Sequence, residues 1–235
     1  MPGYNYNEYV TSLSNTLVVP ANEPNFVAEL PRIIDDAEQR IYRELDLLST
    51  IVTDASGTLS ANSRRFTFPQ HFVVSESINV FTPVGTTTNR IQLVPATREF
   101  IDAVYGNDIP SSTPSIPHYY AMITDQTIIV GPPPDASYTL EVIGTIRPLA
   151  LSASNPTTYL TEYLPDLFFA ASMVFGAGYL QNFGAVVDNP QMAVTWEGHT
   201  QELMKSANIE ELRKKYQSFA WSPKQPYPVT TPPRA

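Results

Sequence analysis

The stretch NFVAELPRIIDDAEQRIYRELDLL, from Asn25 to Leu48, constrains this chain more than any other. Phe26, Leu30, Ile33, Ile34, Ala37, Ile41, Leu45 and Leu48 recur every three or four residues, the period of one helix face. Arg32, Asp35, Asp36, Gln39, Arg40 and Arg43 fall mostly on the other faces. Asn25 suits the N-cap. Pro31 cannot donate to residue 27, so the regular helix is expected to begin at Leu30 or to bend at Pro31. Asp35 and Asp36 then lie in its first turns, where the helix dipole favours acids.

A helix with one apolar face needs others to cover it, and the rest of the chain supplies them. Tyr6, Tyr9, Val10, Leu13 and Leu17 form a shorter stripe, capped by Asn5 or Asn7, and Pro20 to Pro24 turn the chain back. Far downstream, YLPDLFFAASMVFGAGYLQNF is apolar almost all round, with Ala170, Ala171, Gly176, Ala177 and Gly178 small enough for close helix approach. The segment Leu164 to Phe183 is therefore the candidate bundle core. After Asn189 as cap and Pro190, a helical pattern runs to about Ala220, with a possible break at Asn208-Ile209. Its charges, Glu210, Glu211, Arg213, Lys214 and Lys215 among them, read as mostly solvated.

Between these helices the period changes towards two. Leu47 to Thr53 fits either a helix end or a strand start, and Ala55-Ser56-Gly57-Thr58 reads as a turn. Segments around Phe66, Phe72 to Val80, Arg90 to Pro95, a hairpin turning at Asp125-Gln126, and Tyr138 to Ile146 predict five or six short antiparallel strands. Thr97 to Tyr105 predicts a short helix ended by Gly106. The fold class is α+β: a four-helix bundle built from the N- and C-terminal helices, with an inserted antiparallel β domain. The expected divisions are 1–49, a helical hairpin; 50–150, the β insert with its short helix at 97–105; 151–220, the helices completing the bundle; and 221–235, an extended Pro-rich tail holding Trp221 and Tyr227.

Composition bears on function. Formal net charge is -9, and charged residues make up 16% of the chain, against roughly 25% in ordinary soluble proteins. An acidic surface opposes wrapping of nucleic acid but is compatible with a channel through which DNA slides. Few charges and 13 tyrosines suit large contacts between subunits. With no cysteine there is no disulfide, thiol nucleophile or cysteine-ligated zinc. No basic region followed by an apolar run marks a signal peptide at the start. No nucleotide-binding glycine loop, HExxH or GxSxG occurs, and His71, His118 and His199 lack metal-site spacing. Arg64-Arg65 is the one basic pair before Lys214-Lys215 and reads as a solvated face or a salt-bridge donor. No catalytic residue, metal or cofactor is expected.

The opening helices, with YNEYV followed by NFVAELPRIIDDAEQRIYREL, resemble the start of the head-to-tail adaptor, or head-completion, proteins of short-tailed bacteriophages. The stretch IPHYYAMITDQTIIVGPPPDASYTLEVIGTIRPLALSASNPTTYLTEYLPDLFFAASM is similar to the middle of the same family. The likeness spans roughly residues 5 to 218. It implies a structural virion protein, not an enzyme, that assembles as a homo-oligomeric ring, usually of twelve copies, beneath the portal protein. Such a ring extends the channel for packaged DNA and docks tail nozzle or fibre proteins in the neck of the virion, after synthesis in the host cytoplasm. Another tail or nozzle protein of the virion is the alternative. The resemblance further implies a contacting arm from Trp221 to Ala235; within it Trp221 and Tyr227, aromatics set among rigid prolines, are the candidate docking residues that the composition suggests. Arg40, Arg43 and Glu44, on the polar faces of the first long helix, are the expected meeting surface between subunits.

Overall fold

The computed structural model of the chain describes residues 3–69, 72–84, 87–106, 114–181 and 190–218. The chain divides into two units. One is built from its two ends, up to Leu48 and from Leu149 onward; the other is Ser49–Pro148.

The helical unit opens with α1 (Tyr6–Leu17). Asn5 caps it in a reciprocal capping box: its side chain accepts from the Glu8 amide at 3.0 Å, and the Glu8 carboxylate accepts from the Asn5 amide at 3.0 Å. Helix α2 (Pro24–Glu44) starts a turn and a half earlier than the sequence suggested. Glu23, not Asn25, is the cap: its carboxylate takes the Phe26 amide at 2.5 Å, and Pro24 occupies the first position, where no amide is missed. Pro31 therefore sits inside the helix. It and Val27, whose carbonyl it leaves without a helical donor, both lie exposed, where solvent can reach. Asp35 and Asp36 accordingly stand in mid-helix, away from the dipole that was expected to favour them. The apolar stripe behaves as its period requires. Ile33, Ile34, Ala37, Ile41 and Leu45 are all buried, but the helix ends at Glu44, and Leu48, expected on the same face, falls in a 3-10 turn and is exposed.

Helix α4 (Tyr159–Tyr163) is a short turn capped by Thr158 and leads into α5 (Pro165–Gln181). Helix α5 packs against α1, α2, α4 and α6 (Pro190–Ser218), which is why it is apolar all round. Tyr9 fastens α1 to it. The ring stacks on Phe168 with centroids 4.7 Å apart, and the hydroxyl donates to the Phe168 carbonyl at 3.0 Å and meets Ser172 Oγ at 2.6 Å. At Gly176 a Cβ would stand 2.9 Å from the Leu17 side chain, so the small residue lets α1 approach. Helix α6 runs through Asn208-Ile209 without a break, because Ala207 and Glu211 on either side are buried against the unit. Among the described residues the unit is thus a five-helix packing, not a simple four-helix bundle, and a sixth helix lies in the β unit.

The second unit holds β1 (Ile51–Leu59), β2 (Arg65–Thr67), β3 (Phe72–Val84), β4 (Thr87–Gln92), β5 (Val94–Pro95), α3 (Arg98–Tyr105), β6 (Tyr119–Thr124), β7 (Thr127–Gly131) and β8 (Tyr138–Ile146). The strands make two four-stranded sheets, ordered β1-β8-β3-β4 and β2-β7-β6-β5. Ile78, Val80 and Leu140 from the first sheet share one core with Phe66, Ile128 and Val130 from the second. Pairing is antiparallel except for β5 with β6, which is parallel, so the insert has more strands than expected and is not purely antiparallel. The presumed turn at Ala55 to Thr58 is the middle of β1, where the register with β8 slips between Asp54 and Gly57. Gly57 is glycine for room: a Cβ there would sit 2.4 Å from the Phe66 ring.

Candidate functional site

In the helical unit most charged side chains first bind the unit to itself. Arg40 of α2 reaches α6, where its guanidinium grips Glu197 through two bonds of 2.6 Å. It also donates to Glu44, one turn on, at 2.9 Å. The Arg40 bond holds the Glu197 carboxyl down to about 2, and the same pairing raises Arg40 further above neutrality. Of the three α2 residues expected at a subunit contact, Arg40 and Glu44 therefore join one network, with Arg40 four-fifths buried. Arg43 is exposed and forms no ion pair among the described residues. Trp221 and Tyr227 lie outside the described residues.

A second network closes the far end. Glu211, expected to be solvated, is 2% exposed. Its carboxylate accepts from the Leu48 amide at 3.1 Å, from Lys214 Nζ at 2.7 Å and from the Tyr159 hydroxyl at 3.3 Å. Burial raises its pKa, but these donors outweigh burial and leave it below the usual range. Lys215 reaches back to pair with Asp46. The bonds that join Glu197 to Arg40 and Glu211 to Leu48 span more than 150 residues of chain, so nothing local in the sequence marks them; the Glu211–Lys214 pair, three residues apart on α6, is the part a local pattern could show.

The third feature is a groove of about 390 Å³ between α2 and α5. Ala28, Ile33, Phe175 and Gly178 line it, and Glu29, Arg32 and Asp36 edge it. Arg32 lies 3.8 Å from Glu29 and 3.7 Å from Asp36, in loose, exposed pairs. Among the described residues no group of acids and histidines is arranged to hold a metal, and no helix is long and apolar enough to cross a membrane. His199 lies edge-on to Trp196, with ring centroids 6.0 Å apart.

The helical unit is joined by ion pairs between distant parts of the chain and carries the two-sheet unit as an insert. Residues 4–224 match the family model described as SU10 adaptor protein, and the chain belongs to that family of head-to-tail connectors. No curated protein matches the chain. The protein is a structural virion component and not an enzyme. It works at the head–tail junction in an oligomeric assembly with portal and tail components. The resemblance carried by the two opening helices and the middle of the sequence is thereby met.

Proposed function

We propose that this protein forms a twelve-subunit ring in the neck of the virion, beneath the portal, after synthesis in the host cytoplasm. The ring continues the DNA channel and offers a platform to the tail nozzle or fibres. The observation that carries this reading is the family match across residues 4–224, which takes in both ends of the helical unit and the whole β insert. The helical parts, 1–49 and 151–220, are the proposed ring and portal contact; the insert, 50–150, is the proposed platform; and 221–235 is the proposed arm. Exposed Arg43 and Glu44, beside Arg40, are proposed to face a neighbouring subunit, and Trp221 and Tyr227 to anchor the arm on the portal or a neighbour. The formal charge of -9 suits a lumen that repels DNA phosphates and does not retain them.

The test is the mass of the purified protein, alone and mixed with portal protein. The expected outcome is a ring of twelve copies joined to the portal. A chain that stays monomeric under both conditions overturns the reading. Removing 221–235 is expected to abolish portal docking while helix content is unchanged.

A further inference from the structure

The outer face of α6 is not that of a solvent-facing helix. Ile209, Leu212 and Tyr216 follow at spacings of three and four, so they share one face, and they are 52%, 43% and 66% exposed. Lys205 and Arg213 flank them at the same spacing, both exposed, and neither forms an ion pair among the described residues. Glu202, also exposed, lies one turn before Lys205, so this side of α6 carries two cations to one acid beside its apolar stripe, in a chain where acids outnumber bases 23 to 14.

The groove between α2 and α5 has the complementary character. Ala28, Ile33, Phe175 and Gly178 make the apolar part of its lining, and Asn25 and Tyr179 close it. A Cβ built on Gly178 meets nothing within 4 Å, so no packing within the described chain requires glycine there. Its edge carries Glu29 and Asp36 against the single Arg32, and Asp35 lies exposed beside them. The charge at the edge is opposite to that flanking the stripe.

Patch and groove stand at opposite ends of the helical unit. The Lys214 turn of α6 is bonded to Tyr159 in α4, next to the first residues of α5. The groove is lined by Phe175, Gly178 and Tyr179, in the last two turns of the same helix. The start of α5 and these groove residues are ten to fourteen residues apart, about 15–21 Å along the helix, and both surfaces are open in the folded unit, so one copy's patch does not fill its own groove. We propose that the α6 face bearing Ile209 and Leu212 seats in the α2–α5 groove of a second copy, with Lys205 and Arg213 against Glu29 and Asp36. Two different surfaces meeting in this way form a heterologous contact, which generates a ring when its rotation closes. This rests on the oligomeric reading above and assigns the residues by which copies join.

The absence of cysteine from the chain makes a direct test available. Gly178→Cys and Ile209→Cys both fall at open positions, so the variants are expected to melt as the native protein does. Under mild oxidation the double variant of the full chain is expected to give a ladder of covalent multimers. Each single variant is expected to give no product beyond a dimer. If the native protein assembles by mass and the double variant gives no ladder, this contact is overturned while the ring reading stands. If neither assembly nor ladder is seen, both fall. A ladder without a closed ring supports the contact and overturns the ring. The ladder is also expected to persist when 219–235 are removed. A ladder seen only after that removal means the chain's own tail covers the α6 face, and the proposal fails. As a second readout, K205E/R213E is expected to weaken assembly at least tenfold, and adding E29K/D36K to restore it. Unchanged assembly in K205E/R213E counts against the charged part of the contact.

Discussion

Glu38 is the residue whose setting most departs from its chemistry. It belongs to the buried face of α2, is 2% exposed, and receives the Leu151 amide at 3.1 Å, where the chain re-enters the helical unit. Burial raises its pKa to about 7; the Leu151 bond opposes that shift and Asp35 adds to it. The Tyr42 hydroxyl, one turn on, is buried with no hydrogen-bond partner among the described residues, so no donor there relieves the charge. The folded pKa lies above the unfolded value, so the neutral form is the one the fold favours. The stabilisation is complete below about pH 4.5 and is lost as pH rises through 7, in total about 3 kcal/mol. Glu38→Gln keeps an acceptor for Leu151 without the charge. Denaturant titrations from pH 5 to pH 8 are expected to lose most of their slope in the variant and to rank it above the native protein at pH 8. An unchanged slope would mean that another group sets the dependence. Val18 is a second case. It ends α1 in the left-handed region at φ 58, a β-branched residue where glycine is usual, and its side chain is 87% exposed. Val18→Gly is expected to stabilise by about 1 kcal/mol, read as a rise in melting temperature of a few degrees.

At the scale of elements, periodicity carried what it could. The stripes of α1 and α2 and the all-round apolarity of α5 led to most of the right burial, because a helix face buried in a core must be apolar wherever its partner comes from; the stripe ran one turn too far, to Leu48, which is exposed. What local pattern could not supply was the partner. Asn25 looked like a cap because Asn caps well, yet Glu23 beside Pro24 takes that role and moves the start of the helix. Ala55 to Thr58 has the composition of a turn, but β1 is held straight through it by pairing with β8, some 80 residues on, and the misfit is absorbed as a bulge. Arg64 makes the same point most strongly. It read as solvated or as a salt-bridge donor, and its side chain is 3% exposed. It donates to the carbonyl of Gly106, and more weakly to Ile101 O at 3.4 Å and to Asp102 at 3.5 Å, so it caps the C-terminal end of α3. Arg64→Met keeps the stem and removes the donors. Hydrogen exchange is expected to speed up across 98–105 by a factor matching about 1–3 kcal/mol, with β3 and β8 unaffected. Equal protection of α3 in both proteins would show that Ile101, packed on Ala121 and Ile129, holds it unaided.

At the scale of the molecule, the two units differ in how the chain makes them. The helical unit is discontinuous. Tyr9 with Phe168, Glu38 with Leu151, Arg40 with Glu197 and Leu48 with Glu211 all join residues from opposite sides of the insert. None of these contacts can form until the second half of the chain is present, and α2 alone leaves a full apolar face uncovered. The β unit is continuous, and its two sheets close on a core supplied wholly from within Ser49–Pro148. A fragment of residues 49–148 is therefore expected to fold by itself and to unfold in one cooperative transition. A fragment of residues 1–148 is expected to show the same transition without added helix, since α5 is missing from it. A non-cooperative melt of the 49–148 fragment would mean that the sandwich depends on the helices. Independent folding fits the division of labour proposed for the adaptor. An insert with its own core can vary its outer strands and loops to suit a tail partner while the helical unit keeps the contacts that build the ring.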